Sequence, residues 1–289
     1  YRAEEFAFYL KDLGAKALIV MQGSTSAAVE EARKLNLPIL ELVKGERAGQ
    51  FTLAGEAEVK PAENPGLAQP EDVALVLHTS GTTARPKLVP LTQANLTVSA
   101  HNSRVALELT EKDRCLNVMP LFHVHGLMAA VMGSLFAGGS VVCTPGFVAG
   151  EFLGWMARFS PSWTTAVPTI HQAVLEQARK LPEVRHTLRM IRSCSAPLPP
   201  PVMAELEEVF AVPVVEAYGM TESSHQVASN PLPPGKRKPG SVGLPAGPEV
   251  CILDEKGSRL PVGKIGEICL RGVNVTAGYE SNPEANRKT

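Results

Sequence analysis

The sequence predicts an α/β fold of layered, mostly parallel sheets with flanking helices and a β-hairpin region near the C-terminal end. Three observations carry that expectation. Short apolar runs of strand length alternate with amphipathic helical patterns through the first three quarters of the chain, as in parallel sheets covered on both faces. The 289 residues are 44% hydrophobic, enough to fill a substantial core in one large domain or two smaller ones. Beyond Pro231 the alternation gives way to two extended runs on either side of Glu255-Lys256-Gly257, which is hairpin chemistry.

Taken in order, Phe6, Tyr9, Leu10 and Leu13 share one helical face, and Gly14 stops that helix. Residues 17–21 read as a short buried strand, 27–35 as a helix and 39–43 as a strand. Residues 44–70 have few periodic apolar positions and read as a linker. An apolar run over 73–77 restarts the alternation. Thr92 is placed to cap a helix reaching 107, with Asn95 at its third position. Strands are expected over 115–119, 140–144, 164–167, 190–193 and 214–217, and helices over 125–136, 152–159, 169–180 and 199–210. Residues 249–254 and 264–271 form the hairpin. Ligands of open α/β sheets sit at the carboxyl ends of strands. The turns at 79–87, 122–126, 193–198 and 218–225 all lie there, so the fold rule gathers them at one edge.

A net charge of −1 makes no electrostatic case for nucleic acid or an anionic membrane. No apolar run approaches the roughly 18 residues of a membrane span. Tyr1-Arg2-Ala3-Glu4-Glu5 leads straight into a helical pattern rather than a signal peptide. Cys115, Cys143, Cys194, Cys251 and Cys269 are odd in number and never in C-x-x-C spacing, which argues against a disulfide frame or a zinc site. Reduced thiols and an intracellular location, cytoplasmic or peroxisomal, are expected. In His123-Val124-His125 the two imidazoles would share a strand face, but no Cys, Asp or Glu stands nearby to complete a metal site.

The chain is organised around His78-Thr79-Ser80-Gly81-Thr82-Thr83-Ala84-Arg85-Pro86-Lys87. Glycine allows close approach of backbone to ligand, and successive N–H groups in such a loop form an anion-binding concavity. Thr79, Ser80, Thr82 and Thr83 add hydroxyl donors, and Lys87 adds a compact positive charge. That inventory suits a polyphosphate. It is not a Walker A loop, whose G-x-x-x-x-G-K-[ST] spacing is absent. The alternative is a plain polar turn from strand to helix.

The stretch resembles the phosphate-binding signature T-S-G-T-T-G-x-P-K-G of the acyl-adenylating enzymes (AMP-dependent synthetases and ligases), with Ala84 and Leu88 where glycine is usual. Ala217-Tyr218-Gly219-Met220-Thr221-Glu222 resembles the family's Y-G-x-T-E, in the family's order. Ser193-Cys194-Ser195-Ala196-Pro197-Leu198 loosely matches G-G-A-P-L, with Cys194 and Ser195 in place of the glycines, and Gly266-Glu267-Ile268 with Gly272 resembles a later structural signature. The resemblance implies ATP, Mg²⁺ and coenzyme A as cofactor and co-substrates. It assigns Thr79, Ser80, Gly81, Thr82, Thr83 and Lys87 to the phosphates, and Ser195, Ala196, Pro197, Ala217, Tyr218 and Gly219 to the nucleoside side. Thr221 falls on the α-phosphate, and Glu222 offers hard oxygens to Mg²⁺. Lys87, Thr221 and Glu222 would form the catalytic set; His123, Ser193, Ser195 and His225 would face the acid.

Within that family the resemblance is strongest to the oxalate–CoA ligases. It is carried by residues 120–126, 166–172, Arg192-Ser193-Cys194-Ser195, Ser229-Asn230-Pro231-Leu232-Pro233 and residues 238–243. The implied activity is AMP-forming ligation of a small carboxylic acid to CoA; a 4-coumarate-like or medium-chain ligase, or a non-catalytic nucleotide-binding protein, are the alternatives. The resemblance implies α/β subdomains of the family's large domain over 1–240 and a β-rich subdomain over 241–289. The T-G-D signature and the small C-terminal domain with its lysine lie outside the sequence, so an internal part of an enzyme, inactive by itself for the overall reaction, is expected.

Overall fold

Strand and helix alternate through both of two compact units, Tyr1–Leu67 and Ala68–Thr289. The computed structural model describes residues 2–55, 65–79 and 86–288. In the first unit α1 (Ala3–Asp12) ends at Leu13, and Gly14 turns the chain with φ +55°. β1 (Leu18–Met21) and β2 (Ile39–Lys44) are parallel, with Leu18 opposite Ile39. They are linked by α2 (Ala27–Lys34), whose first turn is capped by Ser26. β3 (Phe51–Ala54) adds to β2 antiparallel. The reading of 44–70 as a linker is therefore corrected at its start. A four-residue strand between turns carries too short an alternation to stand out. β1 is also less buried than expected, with Ile19 and Met21 exposed.

In the second unit β4 (Val73–Thr79) turns back as β5 (Lys87–Thr92), antiparallel, with Thr79 opposite Lys87. The organising stretch thus joins strand to strand rather than strand to helix. Pro90 hid β5, because proline inside a run argues against a strand; Val89 and Leu91 are nevertheless fully buried. Thr92 then caps α3 (Gln93–Ala106): its hydroxyl accepts from the Asn95 amide at 3.1 Å while Asn95 Oδ1 accepts from the Thr92 amide at 2.8 Å. That reciprocal arrangement satisfies two orphan donors.

β6 (Arg114–Asn117), β7 (Ser140–Cys143), β8 (Trp163–Ala166), β9 (Met190–Ser193) and β10 (Val214–Met220) are the parallel core of a seven-stranded sheet. A π-helix, His125–Met132, and the short α4 (Gly133–Phe136) follow β6. α5 (Ala149–Phe159), α6 (Pro168–Ala178) and α7 (Pro200–Phe210) connect the later strands. The last two helices begin with proline, whose missing N–H is harmless in a first turn. β11 (His225–Ser229) and β12 (Leu244–Pro245) extend the sheet antiparallel, in the order β12-β11-β10-β9-β8-β6-β7. β13 (Glu249–Leu253) and β14 (Glu267–Arg271) form the expected hairpin, and α8 (Pro283–Lys288) follows.

β8 and β9 are buried along their whole length. Leu116, Phe152, Met156, Leu175, Ile191, Leu206 and Phe210 fill the core between them and α5, α6 and α7. At the amino end of the parallel strands Asp113 clamps the sheet: Arg189 donates to both its oxygens at 2.7 and 3.1 Å, and Ser162 donates at 2.7 Å. Structural charge therefore sits at one edge of the sheet. The opposite edge carries the polar turns.

Candidate active site

β6 is followed by β7 on one side, while β8 lies on its other side. That reversal of strand order opens a crevice at the carboxyl ends, the usual ligand position of an open sheet. The turn after β6 is tight: a Cβ on Gly126 would overlap the carbonyl oxygens of Pro120 and Met119. This delivers His125, fully buried, as the first residue of the π-helix, an irregularity frequent at functional sites.

His125 lies within hydrogen-bond distance of Ser195 Oγ through Nδ1 (3.0 Å) and of Thr165 Oγ1 through Nε2 (2.6 Å). Burial first, then the nearby Arg192 charge, hold its pKa well below the ordinary range, so the ring is neutral. Arg192 donates to Thr165 Oγ1 at 3.3 Å. A hydroxyl that accepts from a cation is suited to donate onward, here to His125 Nε2, which leaves the imidazole proton on Nδ1 facing Ser195. Ser195 itself is exposed, and its own O–H is then free for a ligand. His225 completes the group, its ring 5.7 Å from that of His125 and its Nε2 3.9 Å from Cys194 Sγ. It is buried, with its pKa likewise pushed well down by burial and by Arg192. Ser195, Ser224 and His225 adopt φ of 72°, 52° and 97°. Non-glycine residues held at positive φ cluster where function requires the geometry. Gly219 is needed beside them, since a Cβ there would overlap the His225 carbonyl oxygen.

The anion side assembles next to this cluster. Thr79 and Lys87 stand opposite each other at the end of the β4–β5 hairpin; Ser80, Gly81, Thr82 and Thr83 lie outside the described residues. Lys87 Nζ sits 4.5 Å from the ring centroid of Tyr279, and the Tyr279 hydroxyl donates to Glu222 Oε1 at 2.7 Å. Thr221, Glu222 and Ser223 form a 3₁₀ turn after β10, tied down by the Thr276 amide on the Glu222 carbonyl at 2.7 Å. Asn286 holds the Tyr279 backbone by two hydrogen bonds of 2.8 and 2.9 Å. Among the described residues no cation pairs with the Glu222 carboxylate. A half-buried carboxylate with one oxygen held and the other open fits a hard divalent ion.

Of the residues singled out in the sequence, Lys87, Glu222, Ser195 and His225 are brought to this edge with Thr221 and Tyr218. Ala196 and Pro197 are exposed beside Ser195, whereas Ala217 is buried in β10. Ser193 Oγ is buried with no partner. His123 is exposed, and it is His125, two residues on, that makes the buried contacts. In the sequence His125 stood out only as one imidazole of a rejected metal site and Arg192 only as part of a resembling stretch, while Thr165 and Tyr279 carried no site reading. Arg192 also carried a signal of its own, a charge inside the apolar strand run Met190-Ile191.

Residues 1–280 match the AMP-binding enzyme family. The chain belongs to that family. It is 46% identical over 293 residues to an oxalate–CoA ligase of Arabidopsis thaliana, a match covering 99% of this chain and 57% of that protein. It is 37% identical over 265 residues to a sulfoacetate–CoA ligase of Cupriavidus necator, covering 91% of this chain and 51% of that protein. ATP-bound MatB of Rhodopseudomonas palustris superposes with a TM-score of 0.82 at 30% identity, covering 100% of this chain and 56% of that one. The chain thus spans a little over half the length of such relatives. The stretches that end in Lys87 and Glu222, distant in sequence, meet through Tyr279. No helix among the described residues is long and apolar enough to cross a membrane.

Proposed function

We propose that this AMP-binding enzyme activates a small acid bearing a second anionic group, oxalate in the first instance, for transfer to coenzyme A. The observation that supports the reading best is the polar group beside the Tyr218–Glu222 turn, in which buried His125 and His225 back the exposed Ser195 hydroxyl. An apolar acid would gain nothing from such surroundings and would strand their polar atoms. Two relatives point the same way: oxalate has two carboxylates, and sulfoacetate has a carboxylate and a sulfonate.

One carboxylate oxygen of the acid attacks the α-phosphorus of ATP; the bond to the bridging oxygen breaks, and pyrophosphate leaves. The CoA thiol then attacks the acyl carbon, losing its proton, and AMP departs. This chemistry asks the protein for positioning and charge neutralisation rather than for a nucleophile. Lys87 and the loop containing Thr79, Ser80, Gly81, Thr82 and Thr83 hold the phosphates, Thr221 donates to the α-phosphate, and Tyr218 borders the adenine. Glu222 holds Mg²⁺, which supplies charge neutralisation on the triphosphate when bound. His225 and a serine hydroxyl hold the distal carboxylate.

The test is a survey of acids with the protein at its natural full length, following thioester formation. Oxalate should rank above acetate, hexanoate and coumarate, and His225→Ala should raise KM for oxalate strongly while leaving KM for ATP nearly unchanged. A better rate with hexanoate or coumarate sinks the oxalate reading and leaves the adenylating chemistry standing.

A further inference from the structure

We infer that Arg192 is the specificity-determining charge of the acid subsite, a buried cation that acts through Thr165, His125 and Ser195 to select acids carrying a second negative group. The inference rests on the acid-ligase reading above and deepens it by naming what recognises the second charge.

Arg192 exposes 0% of its surface, yet no carboxylate pairs with it among the described residues. Its two contacts are with neutral acceptors, Thr165 Oγ1 at 3.3 Å and Gln226 Oε1 at 3.2 Å, and its Nε–H has no partner. Buried charges are normally paired, because an unpaired one carries the full cost of desolvation. The same strand run shows the ordinary solution: Arg189, one residue before β9, has the Asp113 carboxylate. Arg192 lacks that counter-charge, and it sits at the edge where the ligand crevice opens.

Two further buried polar atoms, Gln226 Nε2 on the side chain that accepts from Arg192 and His225 Nδ1 on the residue before it, are also without partners. Together with Arg192 Nε–H they lack acceptor oxygens, the chemistry of a carboxylate or sulfonate. The histidines do not duplicate the charge, since burial and Arg192 itself keep His125 and His225 neutral. One fixed positive charge therefore faces one extra negative charge. The hydrogen-bonded chain Arg192–Thr165–His125–Ser195 carries that polarity to an exposed hydroxyl, so Arg192 is a positioning residue whose reach to the ligand is through its neighbours.

Oxamate tests this, because it has the size and planarity of oxalate with one charge removed. In the protein at its natural full length, Arg192→Met should raise KM for oxalate about 30-fold, the scale of a hydrogen bond to a charged group. KM for ATP should hold within about twofold, and the preference for oxalate over oxamate should collapse. Arg192→Lys should restore much of that preference. Thr165→Val, which cuts the chain and spares the cation, should shift the ratio the same way, and it decides the matter if the Met variant does not fold. An oxalate-to-oxamate ratio unchanged in Arg192→Met or in Thr165→Val, with rate and melting temperature falling together, overturns the inference alone. A wild-type protein that prefers hexanoate defeats the acid-ligase reading and this inference with it.

Discussion

Glu222 and Lys87 belong to different ends of the sequence pattern, and a single phenol lies between them. Tyr279 donates to the Glu222 carboxylate and presents its ring to the Lys87 ammonium. Burial first, then the Glu222 hydrogen bond, push its pKa up to about 12, so it stays a donor throughout the physiological range. Tyr279→Phe keeps the ring under Lys87 and removes the hydrogen bond to a charged group, which is worth about 1.5–3 kcal/mol. Affinity for ATP·Mg²⁺ should fall by tenfold or more while the melting temperature falls by only a few degrees; isothermal titration reads the first and calorimetry the second. Unchanged affinity would mean that the phenol does not position Glu222. At this scale the sequence was legible where the chemistry is local. Thr92 and Asn95 form their reciprocal cap because all partners lie within three residues. His125 was not legible, because choosing it over His123 depends on where the turn after β6 hands over to the π-helix. Tyr279 reaches Glu222 across 57 residues, and no local pattern announces that.

Among the elements, the parallel strands β6 to β10 were readable because short runs with apolar residues alternate there with helical patterns. Three strands that pair antiparallel were not. β3 is short, β5 contains Pro90, and β11 opens with His225-Gln226, polar residues buried only because the sheet continues past β10. Cys251 and Cys269 face each other across the hairpin as free thiols, a register the spacing did not reveal. The sheet's two ends also divide the labour, which gives a prediction at this level. Asp113→Ala would leave Arg189 without its carboxylate and Ser162 with only the longer hydrogen bond to the Arg114 carbonyl. With Arg189 about a third exposed, the cost should be near the low end for a broken buried pair, about 3 kcal/mol. Denaturant midpoints should drop accordingly, while KM for ATP and for the acid, measured below the melting temperature, should stay put. A change in either KM would show that the clamp reaches the far edge.

For the larger unit as a whole, three buried neutral histidines set the response to acid. Burial pushes His171 from 6.5 down to about 4, and burial with Arg192 holds His125 and His225 well below the same value. Above pH 6.5 these rings are neutral folded or unfolded and contribute no pH dependence. Below it the unfolded chain takes up protons that the folded chain refuses, so stability falls as pH drops from 6.5 towards 4. Each histidine contributes up to about 1.4 kcal/mol per pH unit in that window. Urea midpoints at a series of pH values should show this slope, made shallower by His171→Asn; a flat profile between pH 6.5 and 5 would contradict it.

The claim that ties these scales together is that the carboxyl edge of the sheet activates one carboxylate of a small two-anion acid on ATP. Isotope exchange of pyrophosphate into ATP without CoA, in the protein at its natural full length, isolates that step. Oxalate should support exchange, oxamate and hexanoate should support at least about tenfold less, and Lys87→Ala should remove it. Exchange that ignores the acid supplied, or that runs faster with hexanoate than with oxalate, would contradict the account.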